Sequence, residues 1–539
     1  MAITTTKLTA RILSSLLPRY GVKHAVLSPG SRNAPLIVAL GRSPQLEALT
    51  VIDERSAAFV ALGMAVESGA PVVIACTSGT ALLNYAPAVA EAYYRHVPLI
   101  VVSADRPEQW IDRDDSQTIR QRGALSNIVK RSVHLSADLE TVADGSWRAN
   151  LLINEALSAA TTGVPGPVHI NIAFDTPLAE TAEFPDSEGR YIPTLTAPAQ
   201  LEKAQVAEVA ATLRTAKTLI VCGFMAPDKA RDRELARMAA QPNVAVIAES
   251  TANVHARGVI DAPALLFLET PGEEFVPDVV ISCGGSLVNA ELKTWLRRQP
   301  QSVEHWRIEQ TDTFADTFAH LTRRFAVSEA DFFRPVAYAL SRRPATSGYA
   351  ALWQKRYLST DFANGKANNF FHALMDCIPN RWNVHFSNGM TIRRAQAYSC
   401  SRLRRCESNR GVSGIDGSVS TALGAALIYK DKPTVLLTGD MSLQYDLAAL
   451  AASCLTPRLK IVVFDNGGGG IFREVAACRH LSEVEARFTA SEAMSLPLPA
   501  LAEAYGFDYF IVADIKDIYP TFRKFARESD APAILHVIL

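Results

Sequence analysis

No Cys-x-x-Cys pair and no Cys/His grouping with zinc-ligand spacing occurs among the eight cysteines, at 76, 222, 283, 377, 400, 406, 454 and 478. This excludes a disulfide scaffold and a structural zinc site, and it reads as reduced thiols in a cytoplasm. No run of about 18 apolar residues is present, so no membrane-spanning helix is expected. Net charge is missing as well: 54 Lys and Arg stand against 55 Asp and Glu, −1 overall. No global field therefore recruits nucleic acid or an anionic membrane, and any anion-binding surface must be local. With 48% apolar and 20% charged residues, wholesale disorder is excluded.

What the sequence does have is rhythm. Short apolar runs ending in Gly, Ser or Asp alternate with longer helix-like stretches, the pattern of βαβ units and parallel sheets, and it occurs three times in 539 residues. The first block offers Ala25–Leu27, Leu49–Ile52, Val72–Cys76, Leu99–Ser103 and Val168–Ile172, then meets a polar segment punctuated by Pro177, Pro185, Pro193 and Pro198. The second offers Thr218–Cys222, Val244–Ala248, Asp278–Ser282 and Trp306–Ile308; the third offers Val384–Phe386, Thr434–Leu437, Lys460–Phe464, Phe510–Val512 and Ala533–Leu539. The expected fold class is α/β: three doubly wound parallel-sheet domains at 1–180, 201–342 and 343–539, with a linker at 181–200.

Lys7, Arg11, Arg19 and several Thr, with no acid before Glu47, have the composition of a transit peptide. Lys23–Leu27 already reads as the first core strand, however. Residues 7–17 are therefore expected to form an amphipathic helix capped by the Thr4–Thr6 run.

Ligands of open parallel sheets bind where strands end, and the informative motifs follow strands. Gly439-Asp440-Met441-Ser442 closes the run Thr434–Leu437, and Asn466 with Gly467–Gly470 follows the next apolar run. A carboxylate, an amide oxygen and a Gly-rich turn carbonyl are hard oxygen ligands suited to Mg²⁺. The plainer alternative is that Asp440 caps the next helix and the glycines permit a bend. Taken together, the two strand ends resemble the diphosphate and metal motif of thiamine-diphosphate enzymes. Asp53-Glu54-Arg55-Ser56-Ala57 opens a helix rich in small residues, which another surface can approach closely and where a carboxyl would sit partly dehydrated. The acids there could simply favour the helix N-terminus. A thiamine enzyme needs one carboxyl to hydrogen-bond the aminopyrimidine, so that it can deprotonate the thiazolium carbon, and Glu54 is the candidate.

Further motifs occur in the order of one family. They are Ser28-Pro29-Gly30-Ser31-Arg32, Thr77-Ser78-Gly79-Thr80, Ala104-Asp105-Arg106-Pro107, Ser116-Gln117-Thr118-Ile119, Pro165-Gly166-Pro167, Ser408-Asn409-Arg410-Gly411 and Ser413-Gly414-Ile415-Asp416-Gly417. With Asp53–Ala57 and Gly439–Ser442, they resemble the 2-succinyl-5-enolpyruvyl-6-hydroxy-3-cyclohexene-1-carboxylate synthases of menaquinone synthesis. The resemblance spans both outer domains; the central one shares only the rhythm.

It implies a pyrimidine-binding domain at 1–180, a central domain at 201–342 and a diphosphate-binding domain at 343–539. Thiamine diphosphate would lie between the first domain of one subunit and the third of another, in a dimer or tetramer. Glu54 would be catalytic. Gln117, Ser413, Ile415, Gly439, Asp440, Met441, Ser442, Asn466, Gly468 and Ile471 would bind the cofactor, with Asp440, Asn466 and the Gly468 carbonyl on Mg²⁺ (or Mn²⁺). The substrates implied are 2-oxoglutarate, which loses CO₂, and isochorismate, whose ring takes the resulting carbanion. Both are dianions, a task for Arg. Arg32, Arg106, Arg393 and Arg410 lie on matched loops, Ile471 and Phe472 would form an apolar wall, and Arg394 is expected to face outward. No flavin or NAD is expected, because neither Cys222-Gly223-Phe224 nor Cys283-Gly284-Gly285 completes a G-x-G-x-x-G fingerprint.

The sequence departs from the family in three places. Asp114-Asp115-Ser116-Gln117 stands where Gly-Ala-Asn-Gln is frequent, and Gly389 where some relatives have Ser. Gly285–Glu291 lacks the basic residues many relatives carry near Ala290-Glu291, so either Lys293 substitutes or one basic contact is missing. Two other functions remain open: another thiamine-dependent 2-oxo-acid decarboxylase or carboligase, and a non-catalytic thiamine-diphosphate-binding relative.

Overall fold

A computed structural model of the chain describes residues 2–185, 188–341, 347–360, 366–474, 478, 480–489 and 496–539. Strand β1 (Ala2–Thr5) is followed by six parallel strands: β2 (His24–Leu27), β3 (Glu47–Thr50), β4 (Val72–Cys76), β5 (Leu99–Asp105), β6 (Arg131–Leu135) and β7 (Val168–Ala173). They form one sheet in the order β3-β2-β4-β5-β7-β6, and β8 (Thr181–Phe184) returns to pair antiparallel with β1. The central sheet holds β9 (Thr218–Cys222), β10 (Val244–Ala248), β11 (Val279–Cys283), β12 (Glu304–Ile308) and β13 (Leu321–Phe325), in the order β10-β9-β11-β12-β13. The last sheet holds β14 (Asn383–Phe386), β15 (Arg405–Glu407), β16 (Thr434–Gly439), β17 (Leu459–Asp465), β18 (Asp508–Val512) and β19 (Ala533–Ile538). Its order, β15-β14-β16-β17-β19-β18, repeats that of the first sheet position for position.

The apolar runs are strands because both faces of these sheets are covered. In β4, Ile74 and Cys76 point into one core while Val73 and Ala75 point into another. The first of those cores is shared: it takes in Val26 and Val101 of the first sheet together with Leu436, Ile461 and Ile534 of the last. What joins them is a helix pair, Glu54–Ser68 against Ser418–Ile428. Residues 56–67 of the first helix are buried all round, as a helix at the centre of a large core must be. The small residues expected to admit another surface do so here. A Cβ on Gly63 would stand 2.0 Å from the Thr421 carbonyl oxygen, and one on Gly424 2.0 Å from that of Val60. Backbone touches backbone.

Several expectations change. The helix is Leu8–Leu16, and Thr4 and Thr5 belong to β1. Its N-terminal N–H groups are capped from far along the chain: Leu8 and Thr9 donate to the Glu140 carboxylate at 2.6 and 3.1 Å. The run Leu49–Ile52 is a strand only to Thr50, with Ile52 exposed. Strands β1, β6, β8, β13 and β15 were not anticipated, and β8 lies within the segment read as a linker. That segment is no free tether. The Arg190 N–H donates to Asn150 (2.7 Å), and the Ile192 N–H to Asn154 (2.9 Å), both buried on the helix Gly145–Thr161. The boundary expected at 342–343 lies outside the described residues.

Asp446 locks the helix pair to the strand-end turn after β16. Fully buried, it accepts the Ser420 N–H (2.8 Å) and hydroxyl (2.9 Å), while the nearby Arg55 donates to the Tyr445 carbonyl (2.7 Å). Burial pushes its carboxyl up to about 6, against the Ser420 bonds and Arg55.

Two predictions follow from the packing. Gly424→Ala forces a methyl into a backbone contact and should lower the melting temperature by about 5 °C or more; an unchanged melt would show that the helices part freely. Folded Asp446 keeps its proton to about pH 6, whereas an unfolded Asp releases it near 3.9. The native state therefore binds more protons in that window, and stability falls as pH rises through it. Asp446→Asn lacks this slope, so its stability relative to wild type should improve by about 1 kcal/mol between pH 5 and 7.5, read from paired melts at the two pH values.

Candidate active site

Both outer sheets reverse strand order at the same place, between β2 and β4 and between β14 and β16, the places where open parallel sheets form a crevice at their carboxyl edge. In the last sheet Gly439 ends β16, and Asp440 begins the short helix Asp440–Tyr445 that contains Met441 and the buried Ser442. The Asp440 carboxylate is 4% exposed. The Met441 N–H donates to Oδ1 (2.7 Å) and the Gly468 N–H to Oδ2 (2.7 Å). Asp440 does not cap the helix it opens, whose N-cap is Gly439 with no side-chain cap bond; its carboxylate meets the glycine turn beyond β17 instead.

Burial pushes Asp440 up to about 6, and Asp465, hydrogen-bonded to it, adds to the rise against the two N–H donors. Asp465 is itself held by the His536 ring (2.9 Å), which meets the Tyr509 hydroxyl at 2.8 Å. Two carboxyls side by side with so little solvent cannot both carry a charge cheaply. The turn is shaped as a cradle. Gly468 is buried at φ +140°, Asn466 is exposed, and a Cβ on Gly470 would stand 2.4 Å from the Asn466 amide nitrogen. Among the described residues no group of three or more His, Cys, Asp and Glu could hold a metal. The donors here are instead one carboxylate, an amide and a backbone carbonyl, a set that fits Mg²⁺ completed by diphosphate and water. Ile471 and Phe472 open the helix Ile471–Glu474 just past the glycines, half-buried and exposed respectively.

The crevice of the first sheet holds the other group. Glu54, half-buried, opens its helix one residue after Asp53, which caps it through the Ser56 N–H (2.8 Å). Tyr85 and Cys76 lie beside it: burial first, then the Glu54 charge among other contributions, pushes the phenol and the thiol up. Gln117 has φ +57° and packs on the turn after β4. Its carbonyl accepts the Ser78 hydroxyl (2.9 Å) and its amide donates to the Ser78 carbonyl (3.1 Å). Ser413 also has a left-handed backbone, φ +69°, and Ile415 beside it is half-buried; such non-glycine conformations cluster at ligand sites.

The four arginines come together as two pairs. Arg32 donates to the Phe174 carbonyl (2.9 Å), and burial, then the neighbouring Arg106, pulls it below its usual value. Arg106 pairs with Asp115 (2.5 Å), so the acid in the departing Asp114–Gln117 stretch has an arginine to serve. Arg410 donates to Asn388 Oδ1 (3.1 Å); its buried Nε makes no hydrogen bond. Burial and Arg393 both lower it. Lys293 joins this second pair: burial lowers it, as do Arg410 and Arg393, against Glu249. Arg393 is exposed and donates to the Gly389 carbonyl (2.6 Å). Arg394 does not face outward. Its side chain is 10% exposed and pairs with Glu474 at 3.3 Å, because consecutive positions on a short helix cannot share one face.

Sequence reasoning missed the groups that hold these in place. Asn388, just past β14, donates to the carbonyls of Asn409 and Gly414 (2.6 Å each). Gln121, 1% exposed, accepts the Gly79 N–H (2.7 Å) and donates to Asn171 Oδ1 (2.8 Å), fixing the Gln117 loop to the sheet. The visible signal was Asn171 itself, a polar residue in the apolar run Val168–Ala173.

Comparison with known proteins bears on the whole arrangement. The family described as thiamine pyrophosphate enzyme, N-terminal TPP binding domain, matches residues 8–126, and its C-terminal TPP binding domain counterpart matches 388–537. The 2-succinyl-5-enolpyruvyl-6-hydroxy-3-cyclohexene-1-carboxylate synthase of Porphyromonas gingivalis is 36% identical over 98% of this chain and 93% of its own. The protein of the same name from Desulfotalea psychrophila is 38% identical over 96% of each. That from Flavobacterium johnsoniae is 34% identical over 96% of this chain and 93% of its own. Likeness of this extent runs through all three sheets and both crevices, and the chain accordingly belongs to the 2-succinyl-5-enolpyruvyl-6-hydroxy-3-cyclohexene-1-carboxylate synthase family of thiamine pyrophosphate enzymes.

Proposed function

We propose that the protein decarboxylates 2-oxoglutarate and adds the remaining four-carbon unit to isochorismate, giving the product its relatives are named for, in menaquinone synthesis, as a cytoplasmic transferase. The observation that carries the reading is the buried Asp440 carboxylate bonded to the Gly468 turn, in a chain aligned with these synthases over nearly its full length. Thiamine diphosphate, when bound, supplies the nucleophilic carbon that releases CO₂ and delivers the carbon fragment. Asp440, Asn466 and the Gly468 carbonyl hold Mg²⁺ or Mn²⁺ against its diphosphate, with Gly439, Met441 and Ser442 lining the turn. Ile415 and Ile471 support its rings, and Gln117 and Ser413 offer polar contacts.

Glu54 holds the proton that the aminopyrimidine exchanges. In its own chain it neighbours Tyr85 and Cys76, and the family resemblance would bring the Asp440 crevice of a second copy to it. The apolar residues left exposed beside the two half-sites, Ile52 at 76%, Val412 at 53% and Tyr445 at 52%, support association as a dimer or tetramer. Arg32, Arg106, Arg393 and Arg410 take the substrate carboxylates, with Lys293 in place of the missing basic pair and Phe472 as apolar wall. An arginine whose Nε is buried and unbonded has a strong donor to offer an anion.

Glu54→Gln should keep thiamine-diphosphate affinity while turnover falls roughly 10²-fold or more. Asp440→Ala should instead abolish Mg²⁺-dependent cofactor binding in calorimetry. The reverse pattern would exchange the two roles. For the reaction itself, wild type with Mg²⁺ and thiamine diphosphate should consume isochorismate only when 2-oxoglutarate is present, and should prefer 2-oxoglutarate to pyruvate. Consumption of a keto acid without isochorismate loss, or a preference for pyruvate, points to the other carboligase reading.

A further inference from the structure

Arg410 is gripped from two sides, and each grip ends on a buried carboxylate from a different sheet. On one side Glu91, 2% exposed in the helix Ala86–Arg95, accepts the Gly411 N–H on Oε1 (2.8 Å) and the Val412 N–H on Oε2 (2.7 Å). The approach is so close that a Cβ on Gly411 would stand 2.7 Å from the Glu91 carbonyl oxygen. Arg95, one turn on, extends the hold to Glu407 (2.5 Å) and to the Ser408 carbonyl (3.3 Å).

On the other side Glu249, 2% exposed just past β10, takes the Val288 N–H with both oxygens (2.8 Å each) and the Asn289 N–H with Oε1 (2.7 Å). That fastens the turn whose Ser286 hydroxyl donates to the Arg410 carbonyl (2.8 Å) and whose Leu287 carbonyl receives Arg410 Nη2 (3.4 Å). Burying two carboxylates to bind backbone N–H groups of distant segments is costly, and neither bond set caps the helix or strand that carries it. Both sets converge on one residue, the arginine whose Nε is left unbonded. Burial pushes both acids up, and the N–H donors and nearby cations, Arg410 among them, pull them back.

We propose that Glu91 and Glu249 are positioning residues: by fixing the backbone on either side of Arg410, they hold its guanidinium at the angle that receives a substrate carboxylate. This rests on Arg410 being a substrate-binding residue. The sign of the effect separates geometry from charge. Replacing either Glu by Gln removes negative charge beside Arg410, which on Coulomb grounds alone tightens an anion and lowers its KM. Loss of the clamp raises it, since an amide offers one acceptor oxygen where the carboxylate offers two.

The test uses the full-length protein with Mg²⁺ and thiamine diphosphate: Glu91→Gln and Glu249→Gln, each alone and combined with Arg410→Ala. The readouts are kcat and KM for both substrates, cofactor affinity by calorimetry, and melting temperature. Each Gln variant should raise about tenfold the KM of the substrate that Arg410→Ala impairs, with kcat within about threefold and cofactor affinity unchanged. In the Arg410→Ala background it should add less than about twofold, because residues acting through one group are not additive. Gly411→Ala, which strains the same clamp without altering charge, should reproduce the KM rise and replaces Glu91→Gln if that variant fails to fold. An unchanged or lowered KM, or a rise that persists in full without Arg410, overturns the proposal. If Arg410→Ala leaves both KM values unchanged, the substrate-binding reading of Arg410 fails first and takes the proposal with it.

Discussion

The contact between helices Glu54–Ser68 and Ser418–Ile428 sets the terms for everything else. Gly63 and Gly424 let main chain meet main chain, so the first and last sheets sit closer than any larger side chain would permit, and their apolar faces merge into one core. The same helices carry or adjoin chemistry at their ends. Glu54 is the first residue of one, and Ile415 and Ser413 lie just before the other. Packing that fixes the helix axes therefore also fixes where these groups stand.

Electrostatics then sorts the two kinds of pocket. At the turn after β16 acid is in excess: burial, and Asp465 hydrogen-bonded to it, push the Asp440 carboxyl up. Around Arg410 the imbalance has the opposite sign: Arg393 and Lys293 crowd it, and Glu249 and Glu91 offset part of the repulsion. The two pockets thus carry local charge of opposite sign within one fold.

The fold was legible where the physics is local. Strands such as β4, β9, β11 and β17 are buried on both faces and so read as unbroken apolar runs. Three of the edge strands were not legible: β6 and β13 alternate or expose their residues, and β15 is three residues long. The cap on the helix Leu8–Leu16 comes from Glu140, beyond the reach of any short-range rule. In the site, the strand-end rule pointed to Asp440 and Glu54, and the family motifs to Arg32 and Arg410. They did not find Gln121, Asn388, Glu91 or Glu249, since most of their partners are backbone groups of distant segments. Arg393 and Arg394 could be told apart only once the helix Met390–Ala395 had a definite rotation.

The helix pair also bears on how the chain comes to be made. Glu54–Ser68 is polymerised roughly 350 residues before its partner Ser418–Ile428. At ribosomal speed that interval is about 20 to 70 seconds, far longer than a helix or a small domain needs to form. The first sheet can assemble in that time, but the helix at its heart presents a largely apolar, small-residue face that its partner covers only when the last unit emerges. Synthesis thus leaves a sticky intermediate by construction, the kind of surface that chaperones bind, and the central unit, although it folds around its own core, lengthens the wait.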